Sequence, residues 1–138
     1  MRLSLLLAFL LLAASPACSS GGTERAGQPC QVTADCYKGL KTPPRGDVVC
    51  LTRVTGGYCT HLCTADTECC AVEGECRTDL PQVCAPFEST NQQLCFLSCG
   101  ASVLGGKDGS SYCDQNAHQA FICRSTGGGA QNKQVCTP

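Results

Sequence analysis

A small disulfide-rich fold is predicted, loop-rich with short β-strands and few helical turns, organised as two or three stapled modules. Two observations carry that prediction. The chain places 15 cysteines in 138 residues, and it has only four Phe, three Tyr and no Trp with which to build a hydrophobic core. So few large apolar side chains leave covalent links to supply much of the stability, at about 2 to 4 kcal/mol for each native bridge. The 15 glycines and 7 prolines punctuate the chain too often for long regular elements.

The first segment, residues 1–17, has the three parts of a secretory signal peptide: Arg2, an apolar run Leu3-Ser4-Leu5-Leu6-Leu7-Ala8-Phe9-Leu10-Leu11-Leu12, and the small-residue exit Ala13-Ala14-Ser15-Pro16-Ala17. A membrane-spanning helix needs about twenty apolar residues, so the run is too short to remain as an anchor. Cys18 follows. Fifteen is an odd number, and exported proteins seldom leave a thiol unpaired, so parity sets Cys18 apart from the other fourteen.

Residues 18–29, Cys-Ser-Ser-Gly-Gly-Thr-Glu-Arg-Ala-Gly-Gln-Pro, read as a flexible tether. At about 3.3 Å per extended residue it would reach roughly 40 Å. The disulfide region, 30–138, then holds Cys30, Cys36, Cys50, Cys59, Cys63, Cys69, Cys70, Cys76, Cys84, Cys95, Cys99, Cys113, Cys123 and Cys136. Their spacing repeats weakly. Cys30-x5-Cys36-x13-Cys50-x8-Cys59-x3-Cys63 is echoed by Cys63-x5-Cys69 and Cys70-x13-Cys84-x10-Cys95-x3-Cys99. Thr33-Ala34-Asp35 matches Thr64-Ala65-Asp66, and Val49-Cys50 matches Val83-Cys84. The expected modules are 30–63, 63–99 and a degenerate 99–138, sharing junction cysteines or forming one continuous array. Fourteen cysteines allow on the order of 10⁵ pairings, so connectivity stays open.

Within this region three short strands are expected, over Val48–Val54, Leu94–Cys99 and Phe121–Arg124, where β-branched or aromatic residues lie between turn signals. Asp114 is expected to cap a helical turn running through Gln119, and Thr64 another leading into Cys69. Gly39, Pro43-Pro44, Gly56-Gly57, Gly105-Gly106 and Gly127-Gly128-Gly129 mark loops.

Composition excludes several function classes. A formal net charge of −1 with scattered charges leaves no electrostatic footprint for nucleic acid. Zinc sites and thiol oxidoreductases favour Cys-x-x-Cys, which is absent. Only His61 and His118 could act as imidazole bases, and neither a Gly-x-Ser-x-Gly elbow nor a glycine-rich phosphate loop is present. No catalytic residue, metal or cofactor is therefore expected, and His61 reads as an exposed loop histidine.

Three surface features remain. Arg45-Gly46-Asp47, after Pro43-Pro44, resembles the adhesive tripeptide of disintegrins, but an exposed turn with glycine at its apex explains the same residues. Lys41 and Arg53 are the basic residues best placed for a disulfide-braced protease-inhibitor loop, whose rigidity lowers the entropy cost of binding. Around them Cys63-Thr-Ala-Asp-Thr-Glu-Cys69-Cys70-Ala-Val-Glu-Gly-Glu-Cys76 is similar to the double-cysteine segment of whey-acidic-protein inhibitors over fourteen residues. Asp66, Glu68, Glu73 and Glu75 offer oxygens to calcium but lack the spacing of an EF-hand loop, and read as a solvated acidic surface.

The leader and the cysteine skeleton together resemble the small cysteine-rich lipoproteins of the Gram-negative envelope. Ala17 fits the position before their acylated cysteine, and Ser19-Ser20-Gly21-Gly22 fits the tether after it; Ser15 and Pro16 depart from the usual signal. The resemblance implies a fatty acyl chain such as palmitate on Cys18 and anchoring in the outer membrane, since Ser19 rather than aspartate follows. It implies a structural or interaction role toward an extracytoplasmic protein or glycan. If Cys18 is not lipidated, the chain is a secreted protein.

Overall fold

The structure is a computed structural model that describes residues 25–77, 79–87, 90–127 and 132–138. The leader and Cys18 lie outside the described residues. The fold is small, disulfide-rich and loop-rich, built on three antiparallel hairpins. β1 (Val48–Cys50) pairs with β2 (Cys59–His61), β3 (Gln82–Phe87) with β4 (Gln92–Leu97), and β5 (Ile122–Ser125) with β6 (Gln134–Thr137). A short helix α1 (Ala101–Leu104) and a two-turn helix α2 (Gly109–Asn116) precede the third hairpin.

Each hairpin places two cysteines directly opposite each other: Cys50 faces Cys59, Cys84 faces Cys95, and Cys123 faces Cys136. Opposite residues of an antiparallel pair project to the same face. Those sulfurs do not bond each other. Each reaches instead to one of two cysteines in the segment leading into the hairpin, giving Cys30–Cys50 and Cys36–Cys59, Cys63–Cys84 and Cys69–Cys95, Cys99–Cys123 and Cys113–Cys136. The rule is first to third and second to fourth, three times over. Cys70–Cys76 is the seventh bridge and stands outside it.

Cys63 and Cys99 each bond forward, so neither is a junction shared with the unit before it. The alignment of Thr33-Ala34-Asp35 with Thr64-Ala65-Asp66 is also corrected. A 3₁₀ turn over Thr33–Asp35 ends at Cys36 and another over Asp66–Glu68 ends at Cys69, so Asp35 corresponds to Glu68. Both carboxylates do the same work, accepting backbone N–H bonds from the start of their own segment: Asp35 from Gln31 and Val32 at 2.9 and 3.0 Å, Glu68 from Thr64 at 2.6 Å. These bonds, with the Lys38 ammonium, hold the Asp35 carboxyl down to about 2. The next residue is left-handed in both units, Tyr37 at φ 59° and Cys70 at φ 61°.

Strand boundaries differ from the sequence reading for physical reasons. The strand expected over Val48–Val54 stops at Cys50; Leu51 N–H still donates to Tyr58 O across the hairpin, and the chain then enters the turn. β2, β3 and β6 were not expected: β2 is only three residues long, and β3 contains Pro86, which cannot donate to a ladder. α2 begins at Asp108, whose side chain accepts the Ser111 N–H at 2.8 Å; Asp114 lies inside the helix rather than at its cap. Residues 25–29, expected to belong to a flexible tether, are built into the fold: Ala26 N–H donates to Glu75 O, Gly27 N–H to Cys59 O, and Gln28 O accepts from Cys59 N–H.

The three units share one core. Tyr58 of the first, Phe87 and Phe96 of the second and Phe121 of the third pack together, with ring centroids 4.8 to 6.4 Å apart. Tyr58, Phe96 and Phe121 are almost wholly removed from solvent. The chain also laces one hairpin to the next. Leu62, just past β2, bridges to Leu94 in β4, and Ser98, just past β4, bridges to Val135 in β6. Lys133 completes the second joint, its ammonium reaching Asp66 Oδ1 at 2.5 Å and Cys84 O at 2.7 Å.

A core shared in this way predicts joint unfolding. Phe96→Ala should cost about 3 to 5 kcal/mol, and all three hairpins should lose protection in a single transition. Amide hydrogen exchange across a denaturant series, read separately on β1–β2 and β5–β6, checks both statements; retention of the outer hairpins in the variant would contradict the second.

Candidate functional site

His61 and Glu75 form the most specific polar arrangement in the molecule. His61 ends β2, and Glu75 sits in the loop closed by Cys70–Cys76. Their side chains are 0% and 1% exposed, and His61 Nε2 lies 2.8 Å from Glu75 Oε1. The other ring nitrogen, Nδ1, faces Leu62 O at 2.9 Å. Both neighbours are acceptors, so only the doubly protonated imidazolium satisfies both. Glu75 also accepts backbone N–H bonds from Cys70 at 2.8 Å and Val72 at 3.1 Å. The edge of the Tyr37 ring approaches the imidazole, with centroids 6.1 Å apart.

This overturns the reading of His61 as an exposed loop residue and removes Glu75 from the solvated acidic surface. Periodicity could not find the pair, because the two residues meet across a unit boundary. The only sequence signal was proximity to cysteines on either side.

Burial alone would lower the His61 pKa, but the Glu75 carboxylate, the Leu62 carbonyl and the Arg45 backbone outweigh it and raise the group above its ordinary 6.5. Burial would likewise raise Glu75, and the bonds from His61, Val72 and Cys70 outweigh that and hold it below its ordinary 4.5. The stability His61 contributes is therefore fully present below pH 6.5 and lost as pH rises through its elevated folded value. That from Glu75 is present above pH 4.5 and lost as pH falls through its depressed folded value.

The remaining candidates are placed as follows. Asp66 is engaged by Lys133 and by the Cys84 N–H, Glu68 caps its own turn, and Glu73 is exposed. They do not converge on one point with Glu75. Arg45-Gly46-Asp47 forms an exposed bend, as expected, but the Gly46 backbone lies close against another segment. Gly46 has φ +94°, and a Cβ there would lie 2.1 Å from Leu62 O, while Asp47 O accepts the Leu62 N–H. The tripeptide is pressed onto the chain leaving β2. Arg53 lies in the compact turn of the first hairpin, exposed, with its guanidinium 5.9 Å from the Phe87 ring centroid. Lys41 is exposed.

His118 donates from Nε2 to Thr55 O at 2.8 Å and accepts the Ala120 N–H on Nδ1 at 3.0 Å, which fixes its ring orientation and ties the third unit to the first. In each unit three cysteine sulfurs crowd within 4.8 Å of one another, yet every one is in a disulfide and offers no thiolate to a metal. Among the described residues no helix is long and apolar enough to cross a membrane.

The buried pair predicts a bounded stability plateau. Unfolding free energy, followed by denaturant titration from pH 3 to 10, should fall at both ends of the window set by Glu75 and His61. Glu75→Ala should cost about 3 to 5 kcal/mol at pH 6 by stranding a buried imidazolium, and should flatten the alkaline limb.

No protein-family model, curated protein or solved structure matches this chain.

Proposed function

We propose that the chain is an exported, non-catalytic interaction module of a bacterial cell envelope, held to the outer membrane by lipid on Cys18 and presenting its stapled body to an extracytoplasmic protein or glycan. The observation that carries this reading is the cysteine account. All fourteen cysteines from Cys30 onward pair within the chain, which leaves Cys18 as the odd thiol. Seven bridges also belong to an oxidising compartment.

Support for a non-catalytic role comes from the histidines, one buried in an ion pair and the other locked in backbone hydrogen bonds. Burial also pushes the phenols of Tyr37 and Tyr58 well above their ordinary range. Because the fold takes in residues from Arg25 onward, the span from Cys18 is seven residues, or about 23 Å fully extended. A lipid on Cys18 would thus keep the body close to the bilayer.

Intact mass of the mature protein from envelopes, with and without reduction and alkylation, tests the reading. An acylated Cys18, no alkylation before reduction and fourteen after it are expected. An unmodified Cys18 in soluble material overturns the anchor. The second reading, a disulfide-braced inhibitor of extracellular proteases, rests on Lys41, exposed on the loop between Cys36 and Cys50 whose ends are both bridged. It predicts that Lys41→Ala or Arg53→Ala abolishes inhibition in a panel of trypsin-like proteases while the fold survives.

A further inference from the structure

Cys70–Cys76 differs from the other bridges in every respect that governs exchange. It spans 6 residues in sequence where the others span 20 to 26, so it restricts the unfolded chain least. Each of the other six has at least one buried cysteine, whereas Cys70 and Cys76 are both partly exposed. Both line an open groove of about 470 Å³ with Val72, Glu73 and Arg77, which admits an attacking thiol; Cys69 also borders it but is buried. The bridge also has no counterpart in the first or third unit.

What it holds is Glu75. That residue precedes Cys76, and its carboxylate is steadied by the N–H groups of Cys70 and Val72, both inside the bridged loop. The loop presents the carboxylate to His61 in the neighbouring unit, while the carbonyl of Glu75 accepts the Ala26 N–H of the entering chain. Two other segments therefore meet on one short loop whose closure is a single accessible disulfide.

We propose that Cys70–Cys76 is a redox modification site, opened by a dithiol reductant, and that opening it releases Glu75 from His61 and loosens the joint between the first and second units. A reductant thiolate attacks one sulfur of the bridge and forms a mixed disulfide. The reductant's second thiol then displaces the protein sulfur. Two electrons and two protons end on Cys70 and Cys76 as thiols, and the reductant leaves as a disulfide. The groups facing His61 are the Glu75 carboxylate, the Leu62 carbonyl, the Arg45 backbone, the Tyr37 ring edge and the Cys95 sulfur at 3.9 Å. Of these only Glu75 is carried on the labile loop. The proposal does not depend on lipid at Cys18.

The test uses the oxidised chain with limiting dithiothreitol, trapping with iodoacetamide and peptide mapping. Cys70 and Cys76 should be alkylated at least tenfold faster than any other pair; earlier labelling of another pair overturns the site. A Cys70→Ser/Cys76→Ser chain should keep its other six bridges. In it, amide exchange at Val72 should rise at least tenfold, and the His61 ring, followed by ¹⁵N-edited NMR, should lose its proton at a lower pH than in the parent. A folded double variant with unchanged exchange and His61 titration overturns the coupling. A double variant that cannot fold overturns the separation of this bridge from the scaffold.

Discussion

The pairing of two opposed cysteines with two cysteines in the preceding segment is the constraint on which this structure depends. Because the opposed residues of an antiparallel pair share a face, one leading segment can be sewn across that face by two adjacent bridges. The same act fixes the register, since a slip of one residue would send a cysteine to the far side of the hairpin. Strands of three or four residues, such as β1, β2, β5 and β6, are too short to hold their own register. The covalent stitch does it for them.

Stitching alone would give three independent beads. They are joined because the second strands of the first two hairpins run on into residues that pair with the next hairpin, Leu62 and Ser98, and because each unit contributes a ring to a common cluster around Phe96. The first and second units bury only small clusters of their own, built largely of cystine, and the three phenylalanines of the described region all go to the shared one. Pooling them in one place gives each ring neighbours from another unit. Polar links follow the same logic: His61 with Glu75 at the first joint, Lys133 with Asp66 and Cys84 at the second, and His118 with Thr55 between the third unit and the first.

Much of the fold class was legible in the residues. Cysteine density against few aromatics indicated a stapled, loop-rich body, and short strands were recognisable where β-branched or aromatic residues flanked a cysteine, as in Leu94–Cys99. β3 was hidden by Pro86, and β2 by its length of three residues. The candidate surface features fared differently. Glycine in Arg45-Gly46-Asp47 looked like an apex residue, but it serves a close approach of two backbones, a contact with a segment sixteen residues away that local pattern cannot reveal. Arg53 is exposed as expected, but its contact with the Phe87 ring, in another unit, left no local signal.

From sequence alone came the number of cysteines, their crowding behind a short apolar leader, and the recurrence of their spacing, because covalent capacity is a property of composition. The pairing rule, the forward bonding of Cys63 and Cys99, and the burial of His61 against Glu75 were decided only in three dimensions. Spacing permits a very large number of connectivities, and an ion pair has no linear signature when its partners sit on different units. Which sulfurs meet follows from the shared face of each hairpin, and which carboxylate faces the imidazole follows from how the first two units pack.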